Sequence, residues 1–216
     1  MPSNNAKRTY RGQAAVMGAV AAAISLTAAA CSSSTSPATS ASGANHTHHP
    51  MASHSPMHES AAFGSDCGMI PASGMGSLHA MSMDNVVTAA SHNPLLATLA
   101  ADLKTAGLTS DLSSMHGLTV FAPSDTAFKM LHGSEMNMLH SKSELAKILK
   151  YHVVSGRVTP SELAQGAPLR TLEGDTLKPS KMGSVYEVNT AHVICGNIHT
   201  ANATVYIIDK VLIPMH

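Results

Sequence analysis

The chain reads as an α+β protein. Helix-forming periods crowd residues 84–166 and strand-forming runs crowd residues 169–213, so the two kinds of element are segregated rather than alternating as a parallel α/β sheet requires. Before them, residues 32–83 hold only two charged side chains, Glu59 and Asp66, amid Ser, Ala, Gly and Pro, a composition too poor in large apolar residues to form its own core. The folded domain is therefore expected over 84–216, and residues 31–83 are expected to be a disordered tether.

Asp84 can cap a short helix carrying Val86, Val87 and Ala90. Asn93-Pro94 has the form of a cap followed by proline at the first helical position, with Leu95, Leu96, Leu99 and Leu103 along one face and Gly107 as the stop. A second short helix fits Thr109 to Met115. Thr119-Val120-Phe121 reads as a buried strand, ended by Pro123, and Ser124-Asp125 caps a helix through Phe128 to Leu131. Ser141-Lys142-Ser143-Glu144 has capping-box spacing before Leu145, Ile148 and Leu149, and Thr159-Pro160-Ser161-Glu162 repeats it with proline at the first position. Tyr151 to Val154 is expected as a strand. Beyond Leu169 the pattern is strand and turn: Thr171-Leu172 and Thr176-Leu177 across Gly174-Asp175, then Val185 to Val188, His192 to Ile194, and Thr204 to Ile213.

Composition excludes several function classes. Lys plus Arg and Asp plus Glu are 13 each, so no basic stripe exists for a nucleic-acid backbone. With no Trp, three Phe and four Tyr, a stacking platform for bases is not expected either. Gly-x-Ser-x-Gly, the P-loop and Gly-x-Gly-x-x-Gly are absent, and His58-Glu59 fails the zinc-protease pattern because Ala62 stands where the second histidine belongs. The chain is not expected to be an enzyme.

The first thirty residues have the three parts of an export signal. Lys7, Arg8 and Arg11 are the basic start, Gln13 to Ala30 is free of charge and mostly apolar, and Ala28-Ala29-Ala30 supplies small residues before a cleavage point. The next residue is Cys31, and this resembles a bacterial lipobox, in which the cysteine is acylated and becomes the new N-terminus. Ala28 stands where that pattern usually has Leu, so ordinary cleavage releasing a soluble protein is the alternative. Removing the signal leaves ten basic against thirteen acidic residues. Three cysteines is an odd number for an oxidising compartment. If Cys31 is acylated, Cys67 and Cys195 remain and would pair; two free thiols is the other reading.

Fourteen His and fourteen Met stand out. His46, His48, His49, Met51, His54, Met57 and His58 cluster in the tether, and imidazole with thioether suits copper, while imidazole alone suits zinc. No fixed spacing there defines one coordination geometry, so the tract is either a moderate metal ligand or a spacer.

Thr119-Val120-Phe121-Ala122-Pro123-Ser124-Asp125-Thr126-Ala127-Phe128 resembles the first signature of the fasciclin domain. Tyr151-His152-Val153-Val154 resembles its Tyr-His motif, and Val188 to Pro214, ending Val205-Tyr206-Ile207-Ile208-Asp209-Lys210, resembles the second. The exported chain with one domain and cysteines at 67 and 195 is similar to the mycobacterial single-fasciclin-domain surface antigens; Asn202-Ala203 replaces the Asn-Gly turn common elsewhere. The resemblance implies a fasciclin-like β-sandwich wedge flanked by short helices. It also implies a lipid-anchored adhesion or interaction module on the outer face of the cell membrane or released from it. Its partner would be a surface protein or extracellular-matrix-type ligand, with Tyr151 and His152 implicated in binding. Against that stands the plain reading of His152 as a core residue bonded to a neighbouring loop. The second functional expectation is an exported copper- or zinc-binding protein that uses the tether.

Overall fold

The computed structural model describes residues 61–214. The expected export signal over 1–30, Cys31, and the tract of His46, His48, His49, Met51, His54, Met57 and His58 lie outside the described residues.

The chain runs through a 3-10 turn (Ser65–Met69), α1 (Leu78–Met83), α2 (Val86–His92), α3 (Ala97–Ala106), α4 (Thr109–Ser114), β1 (Leu118–Pro123), α5 (Asp125–Lys129), α6 (Ser134–His140), α7 (Lys142–Tyr151), β2 (Val153–Ser155) and α8 (Pro160–Gln165). Then come β3 (Leu169–Arg170), β4 (Thr176–Leu177), β5 (Pro179–Met182), β6 (Val185–Val188), β7 (Ala191–His199) and β8 (Ala203–Ile208). Helices crowd the first half and strands the second, an α+β arrangement. Six strands form one sheet in the order β2-β1-β8-β7-β6-β5, and β3 and β4 make a separate ribbon. All pairings are antiparallel except one: β1 runs parallel to β8, from Leu118 opposite Ala203 to Pro123 opposite Ile208.

Every residue of β1 and β8 is buried, so both faces of this pair are covered, as parallel pairs require. The two-residue period of a strand divides them between two cores. Leu118, Val120 and Ala122 with Ala203, Val205 and Ile207 face the helices, meeting Leu96, Leu99, Leu103, Leu145 and Leu149. Phe121, Tyr206 and Ile208 face the other way, against Tyr151, Val154, Leu163, Leu177 and Val188. In that second core the Phe121 and Tyr206 rings stack at 5.7 Å, and the buried Tyr206 hydroxyl donates to the Val158 carbonyl at 2.7 Å. Burial raises the Tyr206 phenol well above its usual range.

Polar side chains, some buried and some at the surface, hook the helices to this sheet and fix its turns. Asn202, just before β8, accepts from the Val86 amide at the start of α2 (2.8 Å) and donates to the Leu112 and Met115 carbonyls at the end of α4 (2.7 and 2.8 Å). Arg157 donates to the carbonyls of Thr200, Ala201 and Ala203, fixing the turn that feeds β8. Ser124 caps α5, but its neighbour Asp125 caps α3 instead, accepting from the Thr98 amide at 2.8 Å while its own amide donates to the Leu95 carbonyl.

Several local expectations change. Asn85, not Asp84, caps α2, because its Oδ1 reaches the Val87 and Thr88 amides. Asn93-Pro94 forms a turn rather than the start of α3, which begins at Ala97. The box at Thr159 and Glu162 closes as expected, whereas the Ser141 hydroxyl pairs with Ser143 and leaves α7 without a side-chain cap. Tyr151 belongs to α7, not to a strand. The helix carries its apolar face of Leu145, Ile148, Leu149 and Tyr151 through to His152, and β2 starts only at Val153.

The largest correction concerns the domain boundary. Residues 61–83, expected as tether, pack onto the domain. Phe63 exchanges backbone hydrogen bonds with Gly196 of β7 (3.1 and 2.7 Å), Asn197 donates to the Ala61 carbonyl, and Met81 is fully buried. The crossing needs glycine on both sides. Gly64 has φ 127° and no room for a Cβ against the Ile194 carbonyl, and a Cβ on Gly196 would meet the Phe63 and Tyr206 rings at 2.7 and 2.8 Å. Cys67 and Cys195 are joined by a disulfide, with their Cα atoms 4.9 Å apart across 128 residues. A cross-link and a few well-placed apolar side chains hold a segment whose average composition would not.

Because the bridge closes so long a loop, its loss should be felt globally. Chain entropy puts its contribution at up to about 4–5 kcal/mol. Reduction of the folded protein is expected to lower Tm by on the order of 10 °C in calorimetry; an unchanged Tm with both thiols alkylated would contradict this role.

Candidate functional site

The junction of α7 and β2 brings together the two residues that the Tyr-His motif marks. Tyr151 is the last residue of α7 and its ring is buried in the second core. Its hydroxyl accepts from Asn189 Nδ2 at 3.0 Å and approaches the Thr176 carbonyl at 3.5 Å. Asn189 is held in the left-handed region (φ 55°) by mutual bonds with Lys178: its amide donates to the Lys178 carbonyl and its Oδ1 accepts from the Lys178 amide, both at 2.9 Å. The Tyr151 hydroxyl thus sits at the floor of an open pocket of about 400 Å³, walled by Asp175, Thr176, Lys178, Asn189 and Thr190.

His152 points the other way and is 1% exposed. Its Nδ1 lies 2.8 Å from the Ile148 carbonyl, and its Nε2 lies 2.9 Å from the Leu212 amide. The carbonyl needs a donor and the amide needs an acceptor, so the ring is neutral with its proton on Nδ1. Desolvation by burial lowers its pKa from the ordinary 6.5 to about 4, outweighing the bond to Ile148. Both nitrogens are used, and the ring edges a small apolar cavity of about 20 Å³ beside Met81, Leu96, Leu99 and Val153. The imidazole ties the end of α7 to the segment after β8. Of the pair, Tyr151 alone reaches a surface pocket.

A second concave surface lies across β7. A groove of about 700 Å³ is bordered by Phe63, Gly64, Ser65, Ser184, Val185 and His192. In it Asp209 receives both the backbone amide (2.7 Å) and Nδ1 (2.8 Å) of His192. Phe63 lies 4.7 Å from Tyr186, and the Lys181 ammonium stands 4.7 Å over the Tyr186 ring. Sequence reasoning missed this groove because Phe63 enters from the segment read as tether. It also missed Asn189, whose only local signal was its place between two strand runs. Among the described residues no group of three or more His, Cys, Asp or Glu side chains could hold a metal, and no helix is long and apolar enough to cross a membrane.

The fasciclin domain model matches residues 94–214. The chain belongs to the fasciclin domain family. It is 40% identical over 147 residues to the cell surface glycolipoprotein MPB83 of Mycobacterium bovis, covering 65% of this chain and 66% of that protein. It is 41% identical over 147 residues to the immunogenic protein MPB70 of Mycobacterium bovis, covering 65% of this chain and 75% of that one. The chain therefore spans just under two thirds of the glycolipoprotein's length. Among solved structures it is similar to a FAS1 domain pair from the insect cell adhesion molecule fasciclin I, at 24% identity and TM-score 0.47, over 55% of this chain and 45% of that one. The matched span in this fasciclin protein starts at Pro94, whereas its packed structure extends back to residue 61.

The chemistry of His152 sets a pH dependence. A histidine with a folded pKa below its free value leaves the fold at full stability above about 6.5. It withdraws stability as pH falls from there toward about 4, by about 1.4 kcal/mol per pH unit for one proton. His152→Ala is expected to cost about 2–4 kcal/mol at pH 7, through a cavity and an unpaired Leu212 amide, and to flatten the decline between pH 6.5 and 5. Urea unfolding across that range checks both. Equal pH slopes for variant and wild type would contradict the assignment.

Proposed function

We propose that this protein is an exported, lipid-anchored surface module that binds another macromolecule through its fasciclin domain and catalyses nothing. The observation that carries this reading is the division of labour in the motif residues. His152 is spent on holding the fold together, and Tyr151 lines a shaped pocket whose walls hold hydroxyls, one amide and one charge of each sign, not a reactive cluster. The Tyr151 hydroxyl and Asn189 are the contact point, framed by Asp175 and Lys178, and the partner is a surface protein or extracellular-matrix-type ligand. Support for the location comes from the relatives, one named a cell surface glycolipoprotein and one an immunogenic protein. Support for the anchor comes from Cys31 after three alanines.

Two substitutions separate the parts of this reading. Cys31→Ala should move the protein from the membrane fraction to the medium or leave it unprocessed; intact mass showing an unmodified Cys31 in the envelope form would contradict the anchor. Tyr151→Phe removes one oxygen from the pocket and keeps the buried ring. Beads carrying this variant should stay folded, with Tm lowered by no more than about 5 °C for the lost Asn189 bond, and lose at least tenfold in adhesion to whichever immobilised matrix proteins hold the wild type. Undiminished adhesion would exclude this pocket.

A further inference from the structure

We propose that the pocket at Tyr151 binds a neutral sugar, so that the partner is recognised through a glycan it carries. This rests on the pocket being the binding site and names the chemistry it selects. Tyr151 is only 4% exposed, yet its hydroxyl opens on the pocket. The oxygen accepts from Asn189 Nδ2 at 3.0 Å, while its own proton has the Thr176 carbonyl as acceptor at 3.5 Å. An O–H···O bond spans about 2.5–3.0 Å, so that proton is nearly unspent. Asn189 does not take it, because Nδ2 faces the hydroxyl and Oδ1 the Lys178 amide. The contrast is Tyr206, whose hydroxyl donates to the Val158 carbonyl at 2.7 Å.

Asp175 and Lys178 stand in the same walls, and among the described residues neither side chain has an ion-pair partner. At the rim, Glu173 accepts from the Asp175 amide at 3.3 Å and the Lys210 ammonium donates to the Thr190 carbonyl at 2.9 Å. Two carboxylates and two ammonium groups thus border the pocket and cancel. An anion would meet Asp175 and Glu173; a cation would meet Lys178 and Lys210 and leave the Tyr151 proton unused. A neutral hydroxyl serves both signs, accepting from Tyr151 or Lys178 while donating to Asp175 through one oxygen. A peptide group carries its donor and acceptor on separate atoms that point apart, whereas neighbouring hydroxyls on a sugar ring offer both together. The volume of about 400 Å³ lies within the range of small-molecule sites, about 300–1,000 Å³. The one aromatic ring among the lining residues, Tyr151, is buried in the second core and offers no stacking face. A single sugar is therefore held weakly, and repeated units on the partner supply the strength.

The test titrates the isotope-labelled full chain with methyl glycosides of neutral hexoses and pentoses, with acetate and methylammonium as charged controls. At least one glycoside should shift the Asn189 side-chain amide and the Thr190 backbone amide along a saturable curve, and both ions should leave them still. Asp175→Ala should weaken that binding about fivefold or more with Tm unchanged, since the exposed carboxylate holds nothing in the fold, and Tyr151→Phe should weaken it similarly. Resonances that stay still with every glycoside, that answer acetate as strongly, or that respond equally in both variants would overturn the proposal. Enzymatic deglycosylation of a matrix protein that holds the wild type should abolish adhesion. Adhesion that survives deglycosylation but is lost in Tyr151→Phe would overturn the glycan while leaving the pocket as the binding site.

Discussion

The parallel pairing of β1 with β8 is the constraint from which the rest of this fold follows. It joins Leu118–Pro123 to Ala203–Ile208, so the chain between them must leave and return before the centre of the sheet exists. Closing so long a loop costs entropy that only burial can offset. That is why all twelve positions are buried and why their alternation feeds two cores rather than one. The helices cover one face and the strands with α8 close the other, with Phe121 against Tyr206 between them.

Long-range polar hooks then fix the helices to this pair, and they sit at its ends. Asp125 leaves β1 and caps α3; Asn202 enters β8 and holds α2 and α4; His152 follows α7 and receives the amide of Leu212 beyond β8. Asn202 and His152 are buried, where an unmet partner costs about 1–3 kcal/mol, and Asp125 is half-buried, so such hooks specify one helix arrangement as well as stabilising it. The motif positions are therefore explained by architecture before any ligand is considered. The surface they support carries the Tyr151 hydroxyl on one side and Phe63, Tyr186 and His192 on another.

Much of this was legible in the residue pattern, and the largest part of what was not has a common physical cause. Local signals read correctly: the Thr159 and Glu162 box, Ser124 as a cap, the apolar face of Leu99 and Leu103, and the segregation of helices from strands. Some failures were local, one residue's choice of cap at Asn85 or of partner at Ser141, and the larger ones came where a side chain's partner lies far along the chain. Asp125 looks like a cap for the helix it begins, yet it serves one 27 residues earlier. Tyr151 to Val154 has strand-forming residues, but tertiary packing extends α7 through Tyr151 and turns His152 inward. Residues 61–83 have the composition of a linker, and their order comes from the Cys67–Cys195 bond and backbone pairing to Gly196, which no local period reveals. Of the binding candidates, Tyr151 reaches a surface pocket and His152 only an interior apolar cavity, while Asn189 was marked by nothing but its place between two strand runs.

The central claim is that the β1–β8 pair and its three hooks form one cooperative unit. Native-state hydrogen exchange tests it most directly. The amides of Val120, Phe121, Val205 and Tyr206 should exchange only through global unfolding, and those of Thr98, Val86 and Leu212, each held by a hook, should show the same opening free energy and denaturant dependence. If the hooked amides instead exchange through small local openings, well below the strand amides, the hooks are incidental and the account fails.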